Sequence, residues 1–158
     1  MSLAPTSHAT VSPDFINLRL GATTAPEALR ELHGGLVGNA AVDDAELFLR
    51  QLLERHALGA NCFSQEIAVP HARTTAVNRI VLAIGRSSTG VFFDEKNPSI
   101  RLVLLIGVPI NAVTEYLRWM SNLARTLRSP LAKEALINAP DTEAFKTVCS
   151  LCIPQTKP

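Results

Sequence analysis

Two nearly continuous apolar runs, Arg79-Ile80-Val81-Leu82-Ala83-Ile84-Gly85 and Ile100 to Val108, constrain this chain more than any other feature. The first is rich in β-branched residues with little alternation, so it predicts a strand covered on both faces. The second alternates weakly at Ile100 and Leu102, turns fully apolar, and ends at Pro109, which reads as a second buried strand. Around them the chain switches between period-two and helical patterns, which suits a compact α/β or α+β domain.

Phe15 to Leu20 alternates after Ile16 and predicts a short strand closed by Gly21. A helix follows, capped by Thr24 or Thr23, with Pro26 in its first turn and an apolar face of Ala28, Leu29, Leu32 and Leu36. The next helix opens at Asp43-Asp44, buries Leu47, Phe48, Leu49, Leu52, Leu53 and Leu58, and stops at Gly59. Between the apolar runs, Ser87 to Gly90 reads as a turn and Val91-Phe92-Phe93 as a further short strand. From Thr114 the period is helical, with Leu117, Met120, Leu123, Ala124 and Leu127 on one face. A shorter helix runs from Leu131 to Ala139, and a last one begins at Asp141 and Thr142. The expected organisation is a flexible tail over 1–14, one domain over 15–153 and a tail over 154–158.

Composition excludes several classes of function. Fifteen Lys+Arg against fourteen Asp+Glu leave a net charge of +1 without a basic run, so the electrostatic footprint of a nucleic-acid binder is missing. No apolar run reaches the ~18 residues that span a bilayer, and three cysteines, an odd number, argue for a reducing compartment, with cytoplasm as the default. Nothing matches a glycine-rich phosphate loop, HExxH or Gly-x-Ser-x-Gly. Cys149-x-x-Cys152 places both thiols on one helix face but lacks the further ligands of a zinc site, and reads as packing; Cys62 is a lone loop cysteine. His8 falls in the tail, and His33 and His56 read as exposed or half-buried helical histidines.

The candidate for chemistry is Glu66-Ile67-Ala68-Val69-Pro70-His71-Ala72-Arg73. Pro70 fixes its own φ and biases Val69 toward extended geometry, so the run predicts a strand that delivers His71 at its exit, where open α/β sheets bind ligands. An imidazole can act as a nucleophile near neutral pH, and Arg73 is the cation suited to hold a phosphate bidentately. Each is also a common structural or surface residue, so residue chemistry alone leaves both readings open.

Ile67-Ala68-Val69-Pro70-His71-Ala72-Arg73 resembles the IAxPH(A/G)(R/K) motif of the mannitol/fructose-type enzyme IIA domains of the bacterial phosphotransferase system, including the nitrogen-regulatory branch. Glu27-Ala28-Leu29, the 79–85 strand, Thr89-Gly90-Val91-Phe92-Phe93-Asp94, the Ile100 to Pro109 strand and the Leu117 to Leu127 helix follow that family's order. The resemblance implies a single α/β domain with a mixed β-sheet sandwiched between helices. It implies a phosphoryl acceptor at His71 charged by an HPr-type phosphocarrier protein, with Arg73 on the phosphate side and no cofactor or metal. An onward partner would be a IIB domain or a regulated target protein, and the role regulatory rather than that of a dedicated sugar transporter component. The alternative is a non-catalytic interaction module on the same fold. Two departures stand out: Tyr116 occupies the place of the family's second histidine and so becomes a phosphate-side contact, and Asn61-Cys62-Phe63-Ser64-Gln65-Glu66 replaces a glycine-rich run, with Glu66 adding negative charge.

Overall fold

A computed structural model describes the backbone of residues 12–152 and the side chains of residues 12–147. Pro13–Val113 form one compact unit, and the described residues from Thr114 onward belong to a second. His8, the side chains of Cys149 and Cys152, and the tail from Pro154 lie outside the described residues.

The first unit is built on a five-stranded mixed sheet. Its strands are β1 (Phe15–Asn17), β2 (Ile67–Ala68), β3 (His71–Thr74), β4 (Val81–Val91) and β5 (Ile100–Pro109). The two apolar runs pair antiparallel as β4 and β5; β1 joins β4 in parallel, and β2 and β3 both join β5 in parallel. Helices α1 (Ala25–Gly34) and α2 (Ala45–Ala57) close one face of the sheet. Leu29 and Leu32 of α1 and Phe48 and Leu52 of α2 share a core with Ala72, Val81, Ala83, Val103 and Leu105. These strand positions recur at every second residue, as one face of a pleated strand requires. Leu82, Ile84, Leu104 and Ile106, on the opposite face, are buried too. The two runs are therefore covered on both sides, as their composition demands.

Local chemistry sets the ends of the helices. Glu27 of α1 reaches back to the Thr24 N–H at 3.3 Å, and the Asp44 side chain accepts from Leu47 N at 3.1 Å to start α2. α2 stops at Gly59, whose φ of 138° lies in a region that side-chain-bearing residues rarely adopt. That turn sends the chain back toward β2. One expectation fails in β4, which continues through Ser87–Gly90 instead of turning there. The segment stays attached as a bulge, with a register shift between Arg86 and Val91. The Ser87 hydroxyl accepts from Gly90 N at 2.8 Å and its carbonyl accepts from Arg101 Nε at 2.6 Å, so the polar residues are satisfied without leaving the sheet.

The second unit contains α3 (Val113–Leu127), α4 (Pro130–Asn138) and α5 (Thr142–Cys152). Ser129 caps α4, and Asp141 accepts from Ala144 N at 2.8 Å to open α5. The buried stripe of α3 is Tyr116, Trp119, Leu123 and Leu127, and Leu117 is 60% exposed. The expected face is thus displaced by one residue at its start, because the two large aromatics rather than Leu117 take the inward positions at helical spacing. Among the described residues, no helix is long and apolar enough to cross a membrane.

Gly107 has a packing role that sets the floor of the site strand. It stands in register with Ala72, and a Cβ there would come within 2.6 Å of the Phe48 ring and 2.8 Å of Val81. Gly107→Ala is expected to destabilise the protein by about 1–3 kcal/mol through overpacking, read as a lower urea midpoint at unchanged m-value.

Candidate functional site

β2 and β3 are one strand interrupted by a proline. Ile67 and Ala68 align with Leu102 and Val103, and His71 to Thr74 align with Ile106 to Pro109, so the register offset is the same on both sides of Val69-Pro70. Pro70 lacks an N–H, but its carbonyl still accepts from Ile106 N at 2.9 Å, which keeps the chain tied to β5 through the break. His71 therefore opens a second strand segment and does not stand at a strand exit. β5 extends to Pro109 and continues to offer a pairing edge, which is why the expected exit becomes a break. A cavity of about 410 Å³ does lie at the carboxyl ends of β3 and β5, lined by Asp43, Thr74, Asn78 and Asn111 among others, but neither His71 nor Arg73 lines it.

Alternation along β3 sorts its side chains. Ala72 and Thr74 are buried, whereas half-buried His71 and exposed Arg73 share the other face. The strand thus presents an imidazole and a guanidinium side by side.

Hydrogen bonding fixes the imidazole. Nδ1 of His71 lies 2.9 Å from the Val69 carbonyl oxygen. A carbonyl can only accept, so Nδ1 carries the proton and Nε2 carries the lone pair. The same Nδ1 is 3.4 Å from the amide nitrogen of Asn61. Asn61 is itself held: its Oδ1 accepts from Arg55 Nη2 at 2.9 Å, and its backbone carbonyl accepts from Val69 N at 2.7 Å. Arg55 Nη1 also donates to the Gly59 carbonyl at 3.1 Å. The loop after Gly59 folds back along the broken strand, with Phe63 and Ser64 donating to the Ile67 carbonyl and Cys62 bridging Ala68 antiparallel. This return path carries Asn61 from the end of α2 to the ring of His71.

Sequence reasoning missed Arg55 and Asn61. Arg55 looks like any cation in the last turn of a helix, and Asn61 like any loop residue; the helix stop at Gly59 was the one local hint that the chain reverses there. Glu66 sits at the start of β2, where its carbonyl accepts from Arg101 N and Leu102 N, about 16 Å of extended chain away from His71. Tyr116 lies on α3, in the other unit, and is buried; burial pushes its hydroxyl up, so the phenol is neutral at physiological pH. Among the described residues, no group of three or more His, Cys, Asp or Glu could hold a metal ion.

Residues 10–151 match the family described as phosphoenolpyruvate-dependent sugar phosphotransferase system, EIIA 2. The chain belongs to this EIIA family. The match runs through both units. A fructose-specific EIIA component of the phosphotransferase system from Haloferax volcanii is 30% identical over 146 residues, covering 90% of this chain and 94% of the relative. Among solved structures, nitrogen regulatory protein IIA-Ntr from Neisseria meningitidis superposes with a TM-score of 0.78 at 22% identity, covering 87% of this chain and 94% of that one. Enzyme IIA mannitol of Escherichia coli, solved in complex with phosphorylated enzyme IIB mannitol, gives 0.73 at 24% identity over 88% and 96%. These likenesses establish the mixed α/β fold.

The other described histidines of this EIIA chain, His33 and His56, have structural surroundings. His33, expected to be exposed or half-buried, is buried at 7% exposure: its Nε2–H donates to the Ala45 carbonyl at 2.7 Å and its ring packs on Phe48, so it joins α1 to the start of α2. His56 packs edge-on against Phe93, and burial lowers its pKa. Burial, with a smaller contribution from the Asp94 carboxylate, pushes the Cys62 thiol up to about 11. At pH 8 this leaves about 100-fold less thiolate than an ordinary cysteine has. In a Cys149→Ser, Cys152→Ser background, alkylation of Cys62 by iodoacetamide is expected to be at least about tenfold slower in the native protein than in urea, followed by mass spectrometry.

Proposed function

We propose that this EIIA chain is a phosphoryl carrier whose acceptor is Nε2 of His71, charged by an HPr-type phosphocarrier protein and serving regulation rather than a dedicated sugar transporter. One observation carries the reading: the Val69 carbonyl holds the proton on Nδ1, so the lone pair is on Nε2, the ring nitrogen remote from the backbone. Phosphoryl transfer asks little covalent chemistry of a protein beyond positioning and charge neutralisation. Arg73 on the same strand face supplies cationic charge on the phosphate side, and Arg55 holds Asn61 at the Nδ1 edge of the ring.

The regulatory assignment is supported by the nitrogen regulatory proteins among the relatives of this chain. A long-lived phosphorylated state suits a signal read by a regulated target more than rapid flux to a IIB domain.

Incubation with enzyme I, an HPr-type carrier and labelled phosphoenolpyruvate tests the proposal. The expected product is acid-labile, base-stable label that is absent in His71→Ala. Arg73→Ala should slow labelling about tenfold, as loss of one charge-assisted contact implies. Absence of label with several cognate carriers, for a protein whose circular dichroism shows it folded, would overturn the reading and leave the interaction module in its place.

A further inference from the structure

Nδ1 of His71 faces two groups with opposite demands. The Val69 carbonyl, at 2.9 Å, accepts only and requires a proton on Nδ1. The Asn61 amide nitrogen, at 3.4 Å, donates only and requires Nδ1 to be bare. The shorter contact decides the resting state, in which the proton is on Nδ1 and Asn61 stands off. Nor can the amide turn over to offer its oxygen, since Arg55 Nη2 holds Oδ1 at 2.9 Å. An amide that cannot rotate and whose donor is aimed at a ring nitrogen already carrying a proton has no use at rest.

It acquires one once Nε2 is phosphorylated. The Nε2 lone pair forms the new N–P bond while the bond from phosphorus to the donor breaks, its electron pair leaving with the donor. The product ring is a cation with a proton on Nδ1. Loss of that proton to water gives the neutral phosphohistidine, whose bare Nδ1 now repels the Val69 carbonyl and accepts from the Asn61 amide. The two ring states differ in reactivity: the protonated ring is the better leaving group and discharges readily, and the neutral ring retains its phosphoryl group.

We infer that Asn61, locked by Arg55, is a positioning residue that selects the neutral, long-lived form of phosphorylated His71, opposing the Val69 carbonyl, which selects the reactive protonated form. The inference rests on the phosphocarrier reading and goes beyond it by naming how long the phosphorylated state lasts and which residue sets that time. The deciding group lies in the Asn61 to Glu66 segment that departs from the family's glycine-rich run.

Phosphoramidate, which phosphorylates histidine without a protein donor, is the probe. In wild-type protein, long-range proton–nitrogen spectra should show Nδ1 of His71 protonated at rest and bare after phosphorylation at mildly alkaline pH. Asn61→Ala should leave the resting tautomer unchanged and shorten the phosphohistidine lifetime several-fold. Asn61→Asp, nearly the same shape but able only to accept, should keep Nδ1 protonated in the phosphorylated state and shorten the lifetime further than Asn61→Ala. That ordering separates a hydrogen-bonding role from a structural one. Phosphorylation of His71 with equal lifetimes in all three proteins would overturn the inference alone. Failure of His71 to be phosphorylated in a folded wild-type protein would overturn it together with the carrier reading.

Discussion

The site depends on a register that survives a proline. Because β5 is long and apolar, it pairs with Ile67–Ala68 before the break and with His71–Thr74 after it, at one unchanged offset. Val69 and Pro70 are thereby held between two anchored segments. This confinement places the Val69 carbonyl 2.9 Å from the ring nitrogen two residues later. A histidine at a loose strand end would sample several rotamers and both tautomers; here the backbone selects one tautomer.

A second constraint comes from α2. Phe48 seats against Gly107, next to Ala72, so the helix is tied to the strand that carries His71. The end of the same helix supplies Arg55 and, through the reversal at Gly59, Asn61. Core packing and site geometry thus share one element, and a change in how α2 sits on the sheet would move the groups that touch the imidazole. That coupling gives Gly107, paired with the residue next to His71, a bearing on the alignment of the ring's hydrogen bonds.

Much of the scaffold was legible. The buried strands, the capped helices and the candidates His71 and Arg73 follow from hydrophobic period, Thr and Asp caps and a short motif, which are local properties. Several readings fell short, most of them because the deciding partner was distant in sequence. Ser87–Gly90 looked like a turn until Arg101, on the neighbouring strand, satisfied the Ser87 carbonyl. Leu117 looked inward until Tyr116 and Trp119 took the buried positions. His33 looked like a helical surface residue, and its partner is the Ala45 carbonyl at the start of the next helix.

By itself the sequence determined that this chain makes a mixed α/β fold of the EIIA family and carries an imidazole two residues before a guanidinium in a short motif, since apolar runs, caps and motifs are written in consecutive residues. Only the tertiary structure decided that His71 sits at a break within a strand, which ring nitrogen bears its proton, and that Arg55 and Asn61 belong beside it. The physical reason is that a hydrogen bond is set by distances of about 3 Å between atoms, and the groups concerned meet only after the chain has reversed at Gly59 and paired with β5.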